Sequence, residues 1–356
     1  MTHSNWIDIL TKIGRRLGRP DILFWTLPWL IILITIGTID QKYIGLYAAQ
    51  HKYFSSFIWW FQGVIPLPAG YTVLSVMTVN VTCKFLFLSY WTKDKAGINI
   101  IHFSIIVLMI GGLLTAATMK EGYIALKPTQ TDHIIRDYHD RVLVLESEGQ
   151  TLQIPFNEIG KTDLPIAIDI VQKCANTAIR ARADLDNNNG VGAASMAELV
   201  CIDKFVENER NIAGLTYRND GAEYIVFEGR ETHDEVGGYT IKLDRAMRQL
   251  PFDVTLQSFL RDVYPGTDKP RAYESRVTIT DGDVIWPALI SMNEPLRYGG
   301  YTFYQASTLI DQDGQPISVL SVVTNTGWVF PYVSGILLAL GLVWHLIIRM
   351  RGRGNA

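Results

Sequence analysis

The run INIIHFSIIVLMIGGLLTAATM (98–119) contains no Asp, Glu, Lys or Arg, and the first charge after it is Lys120. An α-helix needs about 20 such residues to cross a 30 Å hydrocarbon core. One ionisable side chain, His102, stands roughly one turn inside its first end. Such a group costs free energy in hydrocarbon, so it faces a partner helix, a water-filled cavity or a ligand. Two readings of His102 stand side by side. It is a neutral imidazole satisfied by the headgroups or a neighbouring carbonyl, or it is a ligand to something bound in the membrane.

Working outward, three more runs have the length and apolarity of spans: about 22–39, 69–89 and 327–348. The chain has 356 residues and is 48% hydrophobic. Its apolar residues crowd into the first third and the last stretch, around a polar, glycine-punctuated middle. The reading is a membrane protein with four transmembrane helices and a large β-rich extracytoplasmic domain. A basic leader covers 1–21, three helices lie within 22–119, the β domain covers 120–326, the fourth helix 327–348 and the tail 349–356. The first run reads as a span rather than a cleaved signal peptide, for want of a small-residue cleavage site. Lys12, Arg15, Arg16 and Arg19 precede span one, Lys84, Lys93 and Lys95 surround the second turn, and Arg349, Arg351 and Arg353 follow span four. All fall on one side of a four-span topology, which makes that side cytoplasmic. The formal charge of −3 gives no sign of nucleic acid.

The leader has Trp6, Ile7, Leu10 and Ile13 near helical spacing and is expected at the inner surface of the bilayer. Between spans one and two, residues 41–66 are rich in aromatics (Tyr43, Tyr47, Tyr53, Trp59, Trp60) and read as an amphipathic segment along the outer leaflet, ended by Pro66 and Pro68. Asn80 in span two is expected to hydrogen-bond between helices. Gly111 and Gly112 in span three permit close helix approach.

In the middle of the chain, short β-branched runs recur between turn residues: GYIALK, RVLVLES, TLQIPF, EYIVFEG, GYTIKLD, FDVTLQSF, SRVTITD, VIWPALISM, YTFYQAS and ISVLSVVT among them. The pattern is that of an antiparallel sandwich or open barrel. GGYT occurs at 237–240 and at 299–302, each time opening a strand. The best loop is ADLDNNNGVGAAS (183–195). Cys83 lies in span two, and Cys174 and Cys201 lie in the β domain. There is no CxxC or CxxCH, so the chain has neither a dithiol redox motif nor a covalent haem site. Cys174 and Cys201 can pair if the fold brings them together.

LPFDVTLQSFLRDVYPGT (250–267), YESRVTI (273–279), ISMNEPLRYGGYTFYQAS (290–307) and the closing GLVWH (341–345) together resemble the ResB family. Paired tryptophans before IPLPAG, Asn and Cys in span two and a histidine opening span three extend the resemblance over nearly the whole chain. The region 170–240 is the least family-like. The resemblance implies a haem-handling subunit of a system II cytochrome c synthase in the bacterial cytoplasmic membrane, not active alone. Its partner would be CcsA (ResC). Together the two would carry haem b from the cytoplasmic side to the outer face for attachment to the CxxCH of an apocytochrome c. His102 matches the family's axial haem-iron ligand, opposite a histidine of the partner. Imidazole is a strong axial ligand for haem iron. His345, at similar depth on span four, is a second cofactor-binding candidate on depth alone. His51 reads as interfacial, and His133, His139 and His233 as solvated. NEPLRYGGYTFYQAS reads either as a core hairpin or as a docking surface, with Arg297 available to a propionate. The competing function is a membrane scaffold whose β domain binds partner proteins, without haem of its own.

Overall fold

The computed structural model describes residues 3–183, 189–229, 233–267, 269–310 and 314–353. It divides into two compact units, one of residues 1–119 and 325–356, the other of residues 120–324.

The first unit is helical. It holds α1 (His3–Leu17), α2 (Pro20–Ile44), α3 (Leu46–Ala49), α4 (Gly70–Leu88), α5 (Lys93–Thr118) and α6 (Phe330–Arg353). α2, α4, α5 and α6 are each long and apolar enough to cross a membrane. The short turn after α4 makes α4 and α5 neighbours, and Phe85 packs on Phe103 with ring centroids 5.6 Å apart. α5 and α6 run antiparallel. Trp344 Nε1 donates to Lys93 O at one end (3.1 Å), and Thr115 Oγ1 donates to Asn325 Oδ1 at the other (3.0 Å). Asn80 is buried as expected of an interhelical group: its Nδ2 donates to Leu17 O (2.5 Å) and Arg19 O (2.9 Å), satisfying carbonyls where α1 gives way to α2. Gly111 lies directly against Phe330, whereas Gly112 faces open space, so one of the two glycines makes a close helix approach.

The aromatic segment 41–66 is not one continuous amphipathic element. After α3 comes a π-helical turn (Gln50–Phe54), then a hairpin of β1 (Ile58–Phe61) and β2 (Ile65–Pro68). Pro66 and Pro68 do end the segment before α4, and they do so as part of β2, since a two-stranded hairpin has outward-facing positions that need no donor. Trp59 is buried among Leu33, Tyr53, Ala69, Val73 and Met77. Trp29 belongs to this packing, its Nε1 donating to Pro68 O (2.9 Å), while Trp25 is exposed.

The second unit is antiparallel β. Its strands are β3 (Lys120–Leu126), β4 (Thr131–Ser147), β5 (Gln150–Pro155), β6 (Asp169–Cys174), β7 (Thr177–Ala181), β8 (Ala197–Cys201), β9 (Gly214–Asn219), β10 (Ala222–Phe227), β11 (His233–Val236), β12 (Tyr239–Val263), β13 (Pro270–Asp281), β14 (Val284–Ser291), β15 (Leu296–Tyr298), β16 (Tyr301–Ile310) and β17 (Pro316–Thr324). The main sheet runs β14-β13-β12-β4-β3-β17-β16-β15, with β11 beside β12 and β5 beside β4. Strands from both ends of this path share one core: Ile290 of β14, Leu296 of β15 and Phe303 of β16 pack with Phe252, Val254 and Leu256 of β12. The sheet therefore curls into an open barrel, and no ladder joins its end strands among the described residues.

The other halves of β4 and β12 form a second core. Leu143, Leu145, Ile241 and Leu243 pack against Leu215, Tyr217 and Val226 of the separate sheet β10-β9-β6. Two long strands thus serve an open barrel at one end and a sandwich at the other. GYTIKLD and FDVTLQSF are both parts of β12, joined through a register shift between Gln249 and Val254 that surrounds Pro251. Proline has no ladder donor, so the irregularity falls there. Both GGYT repeats are the same device. Gly237–Gly238 and Gly299–Gly300 have positive φ and turn hairpins that pair Val236 with Tyr239 and Tyr298 with Tyr301. These two-residue turns need φ > 0 at both positions, which glycine adopts without strain. Of the loop read at 183–195, residues 184–188 lie outside the described residues, and Gly192–Ser195 form a short 3₁₀ turn.

Cys174 and Cys201 form a disulfide, with Cα atoms 5.1 Å apart. It ties the end of β6 to the end of β8 across 27 residues. A loop of that length corresponds to about 3–4 kcal/mol of unfolded-state restriction. Replacing both cysteines with alanine is expected to lower the denaturant midpoint of the β domain by a corresponding amount while leaving cytochrome maturation largely intact. Loss of maturation as deep as a full deletion, with the domain still folded, would give the pair a chemical role.

Candidate functional site

α5 carries the site because its two sides differ. Gly97, Ile101, Ser104 and Gly111 form the stripe that meets α6. A Cβ on Gly97 would stand 2.7 Å from both Gly341 O and His345 N, and Ser334 Oγ donates to Ser104 O (2.8 Å). Helix α6 approaches so closely because Gly97 and Gly341 face each other without side chains. His102 is five residues on from Gly97, about 140° round the helix at roughly 100° per residue. It therefore lies off the α6-facing stripe.

His102 is half-buried, and its Nδ1 is 2.8 Å from Ile98 O, one turn back on its own helix. A carbonyl only accepts, so Nδ1–H donates in this contact, and in the neutral ring the lone pair is then on Nε2. That tautomer is the one metal-binding histidines adopt when a backbone carbonyl orients the ring. Nearby polar groups are satisfied locally: Asn99 Nδ2 donates to Tyr90 O in the turn before α5 (3.0 Å) and Ser104 Oγ to Ile101 O (2.7 Å).

His345 is placed differently. It lies on the α5-facing side of α6, its Cβ 2.9 Å from where a Gly97 Cβ would stand. Its Nδ1 is buried with no hydrogen-bond partner. The two histidines do not share a depth. His345 lies level with Gly97 while Gly341 lies level with Ile101, so His345 stands about one turn nearer the end of the bundle than His102, and on the other side of α5. The fold does not bring them together as a ligand pair. A carbonyl-oriented imidazole suits a metal-ligand role, and His102 has that arrangement whereas His345 does not.

His51, His133, His139 and His233 lie apart from one another. His51 packs on Tyr47 (4.4 Å between centroids). His133 lies 3.2 Å from Asp253, both about half exposed, and His233 is exposed on β11. His139 is the most enclosed of the β-domain histidines, and burial holds its pKa below the ordinary value, opposed by Glu209 and Asp137. Arg297 is exposed on β15. In the NEPLRYGGYTFYQAS stretch, Phe303 is buried in the barrel and Gln305 makes a closed polar network there. Ser275 Oγ donates to Gln305 Oε1 (2.6 Å), and Gln305 Nε2 donates to Ser318 Oγ (3.2 Å).

One charged cluster was not apparent from sequence. Glu228, just past β10, is buried between two arginines: Oε2 is 2.7 Å from Arg141 Nε on β4, and Oε1 is 2.6 Å from Arg245 Nε on β12. The guanidinium groups spend their other donors on carbonyls. Arg141 reaches His139, Asn208 and Asn211, while Arg245 reaches Glu209 and Tyr138. Three segments far apart in sequence are thereby fastened where barrel and sandwich meet.

A half-buried acid lies in the sandwich. Tyr217 OH donates to Asp234 Oδ2 (3.1 Å), and burial raises the pKa of Asp234 above its ordinary 3.8. A carboxyl with a raised folded pKa contributes stability below its unfolded pKa, and that stability is lost as pH rises through the folded value. Asp234→Asn keeps an acceptor for Tyr217 and removes the half-buried charge. It is expected to raise the melting temperature at pH 7 and to flatten the stability profile above pH ~4. Thermal melts across that window check this, and a lower melting temperature at pH 7 would refute it.

Four bilayer-length helices, with an antiparallel β domain inserted before the last, define a polytopic membrane protein with a large extramembrane domain. The chain belongs to the ResB-like family, whose model matches residues 92–317, more than half of its length. It is similar to protein NrfI of Wolinella succinogenes, 37% identical over 100 residues, which is 28% of this chain and 11% of NrfI. The aligned stretch is thus a small part of that relative's length.

Proposed function

We propose that this chain is the haem-handling subunit of a system II cytochrome c synthase, acting with a CcsA/ResC-like membrane partner. The observation that carries the reading is the set of His102. Its Nδ1 meets Ile98 O at 2.8 Å, which in the neutral ring turns the lone pair to Nε2, on a part of α5 off the stripe that meets α6. His102 would hold the iron of haem b from one side, and the partner would supply the opposite ligand. Haem bound there would supply the vinyl groups to which the CxxCH thiols of an apocytochrome c add. The part played by this chain is to orient an imidazole at fixed depth and to keep its proton on Nδ1. His345, pressed against Gly97, is left with a packing role.

The orientation follows from charge. α1 packs on the last turns of α4, with Gly14 against Phe87, and the end of α6 meets the start of α5. The basic residues of α1, of the turn after α4 and of the end of α6 therefore collect at one end of the bundle. The positive-inside rule makes that end cytoplasmic and the β domain extracytoplasmic, in the bacterial cytoplasmic membrane. The Cys174–Cys201 disulfide suits an oxidising compartment.

The test is a reduced-minus-oxidised haem spectrum of the chain purified with its native membrane partners. A low-spin b-type spectrum supports the reading. Absence of haem from an intact complex would leave the chain a protein-binding scaffold.

A further inference from the structure

The β1–β2 hairpin carries features that the haem site does not use. Between Tyr53 and Lys84 the chain has no Asp, Glu, Lys, Arg or His. Trp59 anchors one face of the hairpin in the bundle, but Ile58, Trp60, Phe61, Val64 and Ile65 are exposed, Val64 to 75%. Apolar side chains therefore project from both faces and from the tip, where Gln62 and Gly63 turn the chain at positive φ.

The backbone matches these side chains. Ala69 N donates to Phe57 O (3.0 Å), so the bonded pairs of this register are Trp59 with Leu67 and Phe61 with Ile65. The intervening residues of β2 turn their backbones away from β1, and at Pro66 and Pro68 there is no N–H to leave unpaired. Val64 N closes the turn on Phe61 O (3.1 Å), and Pro68 O accepts from Trp29 Nε1 (2.9 Å). The outer edge of β2 thus presents no orphan donor from Val64 to Pro68. Unpaired N–H and C=O groups bar open strands from the hydrocarbon core, so the tip belongs at the headgroup boundary, where the outward N–H of Trp60 and the outward carbonyls can meet headgroups or water.

We infer that this hairpin is a lipid-inserting wedge. Its tip, Trp60 to Ile65, enters the boundary between headgroups and acyl chains in the leaflet opposite the basic end of the bundle. β2 runs straight into Gly70, the first residue of the bilayer-length helix α4, so the apolar tip is continuous with a lipid-facing surface. Lipid can cover both faces and the tip at once. A protein docked on one face would leave either Ile58 and Trp60 or Phe61 and Ile65 in water. The wedge fixes the depth of the α2–α4 pair, and the reading stands whether or not His102 binds haem.

The test uses the full chain in lipid nanodiscs, with Cys83→Ala removing the free thiol and a bimane label on Val64→Cys. Val64 is exposed, so the change leaves the packing intact. A label on Gln150→Cys, an exposed position at the start of β5, is the control. Doxyl-labelled phosphatidylcholine is expected to remove most of the emission at position 64 and aqueous iodide little of it, with the reverse at 150. Phe61→Cys should repeat the result on the other strand. Strong iodide quenching at 64 would put the tip in water, and protection from both quenchers would mean that protein covers it. Either result overturns the inference.

Discussion

Substituting alanine for Glu228 is expected to destabilise the β domain by about 3–5 kcal/mol, because it strands two arginines in a buried site. Arg141, Arg245 and Glu228 have side-chain exposures of 8%, 13% and 7%, so solvent does little to screen the loss. Glu228 is the only carboxylate that either guanidinium contacts among the described residues. Its removal leaves two like charges facing each other at the junction of barrel and sandwich. A domain of ordinary stability has about 5–15 kcal/mol in all, so the change removes a large share of it. Glu228→Gln, which keeps an acceptor without the charge, should fall between. Arg218→Ala is the contrast. That arginine is 54% exposed and pairs with Glu223 at 3.3 Å, an interaction worth about 0–1 kcal/mol. Denaturant titration of the full chain in detergent, with limited proteolysis of the β domain, distinguishes the three. Equal midpoints for Glu228→Ala and Arg218→Ala would show that the triad contributes no net stability.

Replacing His102 with glycine is expected to abolish low-spin haem in the purified complex, or to open the sixth coordination position to added ligands. Cytochrome maturation should fall with it. The substitution removes the only imidazole that stands on α5, and the bond from Nδ1 to Ile98 O goes with it. Glycine leaves a gap the size of the lost ring, so imidazole added to cells or to the purified complex should partly restore both spectrum and maturation. His345→Ala should do neither, because that residue meets α5 on the Gly97 side. A normal spectrum and full maturation in His102→Ala would return His102 to a polar group satisfied by its own helix. Loss of haem in His345→Ala with His102 intact would move the ligand to α6.

Much of the architecture was legible because it rests on local pattern. Span lengths follow from runs without charge, and all four appear as helices, although α2 and α6 extend beyond the runs that marked them. The two GGYT turns needed only glycine at positive φ. Strands with β-branched alternation were readable, whereas TAIRA, GLTYRN, HDEV and LRY were not. β11 and β15 are short and are strands because the longer β12 and β16 pair with them, whereas β7 and β9 carry charged residues and pair with strands of their own length. The two runs GYTIKLD and FDVTLQSF, read as separate, and the aromatic segment 41–66 were misleading for one reason: a proline or an aromatic run allows several backbone paths, and the choice lies with what it packs against.

The sequence by itself determined the class of the protein: four spans, a β domain before the last, basic ends that gather together, and one histidine in a charge-free helix. Local periodicity and the cost of charge in hydrocarbon are enough for that. Only the tertiary structure decided the relations between distant residues. It placed His102 and His345 on different sides of α5, because Gly97 and Gly341 bring α6 close along one stripe only. It brought Cys174 within 5.1 Å of Cys201 and set Glu228 between arginines of β4 and β12. Those relations depend on helix rotation and on strand register over long separations, which spacing along the chain does not encode.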